Sequence, residues 1–239
     1  DNFPMHKYIT AKDLTAEMQR ENKFPVRRSC LADRISCAPW DDYTNYVVLA
    51  QCLIEKYGRD FTPDNMAQNW IALQGRNAYY TAERVAFRNF INGYKPPLSA
   101  IYKNPYREII GAQIRGDFFG YINPGDPETA ADMAFRDASI SHVKNGIYGE
   151  MYIAAMIAAA AVTNDMHTVI ETGLAYIPAK SRLTEEIRYI VGLYDGGMGA
   201  LDIIEEIHKK YNEHSAHDWC STIANAMIVT MALLCGEGE

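Results

Sequence analysis

The chain has 239 residues, 23 Lys and Arg against 30 Asp and Glu, a formal charge of −7, and 48% apolar residues. This composition excludes disordered, collagen-like and low-complexity chains, and a single domain of this size can bury a large core without staples. The acidic balance argues against broad, sequence-independent binding to a phosphate backbone, while leaving room for a local basic site.

The first 38 residues are irregular, mixing polar residues with Pro25. The chain opens at Asp1 without a methionine and nothing there reads as a signal peptide, so its beginning is expected to be trimmed. From Tyr43 onward, apolar residues recur at spacings of three and four and period-2 alternation is almost absent. Tyr43, Val47, Ala50 and Ile54 form one such stripe. The spacing predicts helices near 42–57, 63–73, 80–93, 105–115, 127–144, 147–163, 166–176, 182–194, 199–212 and 217–235. Thr62-Pro63, Asn104-Pro105 and Asp126-Pro127 each read as a capping side chain followed by proline at the first helical position. Gly58, Gly93 and Gly173 stand where C-terminal caps are expected, and Asn145-Gly146 separates two helices. The expected architecture is all-α, one compact multi-helix orthogonal bundle over residues 1–239.

Five cysteines (Cys30, Cys37, Cys52, Cys220 and Cys235) are odd in number and lack CxxC spacing, which fits reduced thiols in a cytoplasmic protein. The most apolar run, 146–162, is interrupted by Tyr148 and Glu150 and is too short for a membrane span. His214, His217 and Cys220 invite a zinc reading, but successive steps of three drift around a helix and no fourth ligand is evident. Asp41-Asp42 is an acidic pair at a helix start, suited either to offsetting the helix dipole or to ligating Mg²⁺ or Mn²⁺ with further carboxylates. The stretch 114–161 places Arg115, Asp117, Tyr121, Asn123, His142, Asn145, Tyr148 and Glu150 around Gly-rich turns, where polar side chains can converge on a pocket. Simpler roles compete: Asp126 as a cap, His142 as a structural histidine, and Glu150 as a first-turn acid favoured by the dipole.

WDDYTNYVVLAQCLIEKYG (40–58), TAERVAFRN (81–89), the long block NPYREIIGAQIRGDFFGYINPGDPETAADMAFRDASISHVKNGIYGEMYIAAMIAAA (104–160) and HDWCSTIANAMIVTMALLCGEGE (217–239) together resemble the ADP-ribosylglycohydrolase family, in its bacterial, dinitrogenase-reductase-activating branch. The resemblance implies an all-helical fold holding two Mg²⁺ or Mn²⁺ ions at the bottom of a cleft. It implies hydrolysis of an ADP-ribosyl, or related ribosyl, glycosidic bond in a modified protein or small molecule. On this resemblance Asp41 and Asp42 match the family's metal-binding and catalytic aspartates, although Trp40 stands where threonine is usual and Tyr43 where a small or acidic residue is usual. Asp117, Gly120, Tyr121, His142, Asn145, Gly146 and Tyr148 fall in the block that lines the family's ribose and phosphate cleft. The family's N-terminal Gly-rich helix and C-terminal Asp-Thr-Asp motif are not matched, so the chain is expected to be incomplete at both ends. The alternatives are a catalytically inactive member serving as a binding or structural protein, and a hydrolase of another N-ribosyl substrate such as a nucleoside.

Overall fold

The computed structural model describes residues 9–15, 28–37, 41–75, 78–212 and 214–236. The chain divides into two compact units, Asp1–Thr44 and Asn45–Glu239. In the first, Thr10 and Asp13 close a turn, the Ala11 N–H donates to Asp33, and Leu31 is buried next to a short 3₁₀ turn at Arg28–Cys30.

Twelve α-helices form among the described residues, and no strand does. The first, α1 (Asp42–Tyr57), starts in the first unit and runs on into the second. It is followed by α2 (Pro63–Leu73), α3 (Thr81–Ile91) and the short α4 (Leu98–Ile101) and α5 (Asp117–Tyr121). Then come α6 (Pro127–Ala138), α7 (Asn145–Ala160), α8 (Met166–Ala175), α9 (Arg182–Asp195), α10 (Ala200–Lys210), the short α11 (Ala216–Trp219), and α12 (Thr222–Cys235). Local chemistry sets several starts. Thr62 makes a reciprocal capping box with Asn65 before Pro63, and Asp126 accepts from the Thr129 N–H before Pro127. Gly58 and Gly93 take positive φ just past α1 and after α3, as helix ends require.

Helix α7 organises the larger unit. Twelve of its sixteen residues are buried, so it is apolar nearly all round rather than along one stripe. It packs against α5, α6, α8, α9 and α12. Its alanines and glycines allow this close approach: a Cβ on Gly120 of α5 would meet Ile157 Cβ at 2.5 Å, and one on Gly173 of α8 would meet Met156 and Tyr152 at 2.6 Å. On one side of α7 lies an aromatic core of Tyr46, Trp70, Tyr79, Phe87 and Phe90, with Trp70 and Tyr79 stacked at 4.6 Å. On the other lies an aliphatic core built around Leu183, Ile187, Ile190, Ile203, Ile207 and Met227.

The expected helix over 105–115 is replaced by turns and a 3₁₀ segment at Gln113–Arg115. Its backbone is committed elsewhere: the Ile110 N–H donates to Cys220 O, Val143 N–H to Arg107 O, and Ile109 pairs with Ser221 in an isolated antiparallel bridge. The same pairing splits the expected 217–235 helix at Cys220 and Ser221. The helix expected over 127–144 stops at Ala138, where the backbone turns back to present Ser141 to Arg115 and His142 to Ser141. Gly173 lies inside α8 and serves packing rather than capping.

Candidate functional site

The irregular segment 105–117 lies over a buried ionic cluster. Arg115 is 1% exposed, and its guanidinium is held between two acids: Nη1 donates to Glu83 Oε1 at 3.1 Å, and Nε donates to Asp137. Nη2 donates to Ser141 Oγ at 2.9 Å and to the Asp137 carbonyl at 3.2 Å. Trp70 and Tyr46 offer ring faces at 5.0 and 5.8 Å from the guanidinium carbon. Glu150 Oε2 lies 3.8 Å from Arg115 Nε. Two backbone approaches depend on glycine here: a Cβ on Gly111 would overlap the Glu83 carboxylate, and one on Gly116 would meet the Glu150 carbonyl oxygen at 2.9 Å.

One guanidinium cannot neutralise three carboxyls. Both Glu150 oxygens and Asp137 Oδ1 are buried without a hydrogen bond among the described residues. Burial, and then the Asp137 charge, push the Glu150 carboxyl well above its ordinary value, so it holds its proton to higher pH than an exposed carboxyl and can share it with Asp137. His142 is wholly buried, and desolvation with the nearby Arg115 charge holds its imidazole well below its ordinary value. Arg115 keeps its charge throughout.

Around this cluster the structure gathers part of the candidate set. Asp117 opens α5, half-buried, and accepts from the Tyr121 hydroxyl at 3.3 Å. Tyr121 is exposed, whereas Gly120 faces α7. The imidazole of His142 reaches Ser141 and the Glu83 side of the cluster rather than the surface. Asn145 opens α7: its amide donates to Glu108 Oε2 at 2.8 Å, and its Oδ1 accepts from the Leu183 N–H at 3.2 Å. Gly146 packs against the Arg107 carbonyl and the His142 ring. Tyr148 is half-buried against the apolar faces of α7's neighbours. Beside Asn145 opens a cavity of about 250 Å³, whose polar lining includes Glu108, Arg182, Tyr211, His217 and Asp218.

Asp41 and Asp42 lie in the first unit. Asp41 is exposed, and its Oδ1 accepts from the Thr44 N–H at 2.7 Å and the Thr44 hydroxyl at 2.9 Å, which caps α1. Asp42 is the half-buried first residue of that helix. Trp40 lies outside the described residues. Among the described residues no three His, Cys, Asp or Glu side chains are grouped to hold a metal ion, so these carboxylates do not by themselves fit a two-ion centre. His214, His217 and Cys220 do not share one helix, and all five cysteines are free thiols.

Sequence reasoning singled out Arg115 and Glu150 but missed their partners Glu83, Asp137 and Ser141. It also placed Glu150 in a first turn; α7 begins at Asn145, so Glu150 sits a turn further in, fully buried, and answers to Arg115 and Asp137 rather than to the dipole. The available signal was composition: Glu83 and Asp137 interrupt the helical apolar faces of α3 and α6, as Glu150 interrupts α7.

No curated protein and no solved structure gives a significant match. A family model described as ADP-ribosylglycohydrolase matches residues 7–238. With nearly the whole chain matched and the all-helical fold in place, the chain belongs to the ADP-ribosylglycohydrolase family.

Proposed function

We propose that this chain acts as a hydrolase that cleaves the glycosidic bond of an ADP-ribosyl group on a protein or small molecule. The match over residues 7–238 is the observation that carries this reading. The polar groups presented at the starts of α5 and α7 support it. The half-buried Asp117 carboxylate can accept hydrogen bonds from ribose hydroxyls or from an attacking water, and its exposed neighbour Tyr121 can line the same approach. Asn145, held on both faces of its amide, keeps the start of α7 fixed next to the cavity. Hydrolysis would replace the anomeric C–N or C–O bond by a C–O bond to water, with the water's proton leaving to a base and the leaving group taking one up.

A divalent ion, if bound, would supply Lewis-acid orientation of the ribose hydroxyls and water. Asp41 and Asp42 are the residues of this chain proposed to contribute to it, with further ligands needed from outside the described set. That shortfall favours a second reading, a non-catalytic binding member of the family. The free thiols suit the cytoplasm as the place of action. Calorimetry with Mg²⁺ and Mn²⁺ on the protein with its native termini separates the two readings. The hydrolase reading expects binding that Asp42→Asn weakens about tenfold or more. Binding unaffected by that change would remove Asp42 from the site.

A further inference from the structure

We propose that Arg115 is a positioning residue for this site, acting through Ser141 to fix the His142 imidazole as its Nε2–H tautomer. The inference rests on the hydrolase reading only in naming the site; the tautomer stands on donor and acceptor accounting. A guanidinium can only donate. Ser141 Oγ therefore accepts from Arg115 Nη2 at 2.9 Å, and its own proton finds an acceptor in His142 Nδ1, 2.8 Å away; an Nδ1–H there would leave that buried hydroxyl proton with no acceptor among the described hydrogen bonds. Nδ1 then accepts, and the ring proton sits on Nε2. That nitrogen is buried and lies 3.8 Å from Glu83 Oε1, which Arg115 Nη1 holds at 3.1 Å, and the ring also meets the Ile109 backbone, which favours a ring N–H. Arg115 thus governs both edges of the ring, one through a hydroxyl and the other through a carboxylate.

The charged and titratable groups facing this arrangement are Glu83 from α3, Asp137 from α6, Glu150 from α7, and Arg115 itself, with the Tyr79 hydroxyl nearby. Desolvation and the Arg115 charge both disfavour an imidazolium there, in keeping with a neutral ring. The consequence is mechanical. The backbone after Arg115 passes through Gly116, pressed against Glu150, directly into Asp117. The backbone after His142 runs through Val143, bonded to Arg107 O, into Asn145 and Gly146, the latter packed on the imidazole. A single side chain joins the two turns that carry candidate ribose-contacting residues.

The test is long-range ¹H–¹⁵N spectroscopy on the full chain labelled at its six histidines, with His142 assigned through its backbone. The expected spectrum shows His142 neutral and protonated on Nε2 at pH 7, and still neutral as the pH falls below the ordinary imidazole value. Ser141→Ala leaves the Arg115 ion pairs in place, so its circular dichroism should match the parent. Its His142 signals should move to a mixture of tautomers. Release of ADP-ribose should fall roughly tenfold or more, mainly in kcat. Arg115→Lys, which cannot reach Glu83, Asp137 and Ser141 together, should give the same spectral change if it folds. An Nδ1–H or imidazolium signal at pH 7, or an unchanged pattern in Ser141→Ala, would overturn the proposal. The expected spectra combined with no ADP-ribose release by the parent protein would overturn the hydrolase reading and leave the Arg115–Ser141–His142 linkage standing.

Discussion

Glu150 and His142 are buried around one guanidinium, and their protons respond to folding in opposite senses. Glu150 binds its proton more tightly in the folded protein than in the unfolded chain, where its value is about 4.5, so stability falls as pH rises above that value. His142 binds its proton less tightly when folded than when unfolded, where its value is about 6.5, so stability falls as pH drops below that value. Between the two values the tendencies oppose each other, and above 6.5 the Glu150 slope stands alone. Glu150→Gln removes that slope, keeps the shape, and gives Asp137 Oδ1 a neutral donor. The urea midpoint of this variant relative to the parent should therefore climb as pH rises above about 4.5, until the folded Glu150 itself ionises; parallel curves would mean that Glu150 is ionised in the folded state. Little of this was legible from sequence. Glu150 stood out in its alanine-rich run, but what surrounds it comes from α3, the 3₁₀ turn and α6, each remote along the chain. Spacing reports which face of one helix a residue occupies, not which charges other elements bring to it.

Among the elements, α7 dominates, and glycines set how closely its neighbours approach. Glycine normally lowers helix stability against alanine by about 0.5–1 kcal/mol, so Gly→Ala in an open helical position should stabilise. Gly192 in α9 has nothing within 4 Å of a built Cβ, and Gly192→Ala should raise stability by about that amount. Gly120→Ala should do the reverse, lowering it by about 1–3 kcal/mol, because the new methyl meets Ile157 and the Ala154 carbonyl. Thermal melts of the pair test this directly, and shifts of the same sign would show that the α5–α7 contact yields to a methyl group. Elements set by local chemistry were legible: α2 and α6 start at the expected cap-and-proline pairs, and α8 to α10 fall close to their expected spans. Where tertiary hydrogen bonds claimed the backbone, local signals misled. Asn104-Pro105 looked like another cap, yet the Asn104 side chain is buried and donates to Ser141 O and Ala82 O.

For the molecule as a whole, the all-α class followed from periodicity, and the family match over residues 7–238 accords with the resemblance seen in the long central block. The candidate residues divide by position. Asp117, Gly120, Tyr121, His142, Asn145, Gly146 and Tyr148 belong to the larger unit, and Asp41 and Asp42 to the smaller. Within the larger unit, Asp117 and Tyr121 touch, while His142 and Gly120 are turned into the interior. The sequence block could reveal kinship but not this division, because exposure depends on which surfaces α7 covers. Hydrolysis of an ADP-ribosyl bond is the claim on which the reading of these residues depends. Its most direct test is release of free ADP-ribose, followed by chromatography, from N- and O-linked ADP-ribosyl substrates by the protein with its native termini, with and without Mg²⁺. The expected result is turnover with Mg²⁺ that falls about a hundredfold or more in Asp117→Asn. No release from any substrate of the panel, with the protein folded and Mg²⁺ in excess, would contradict it.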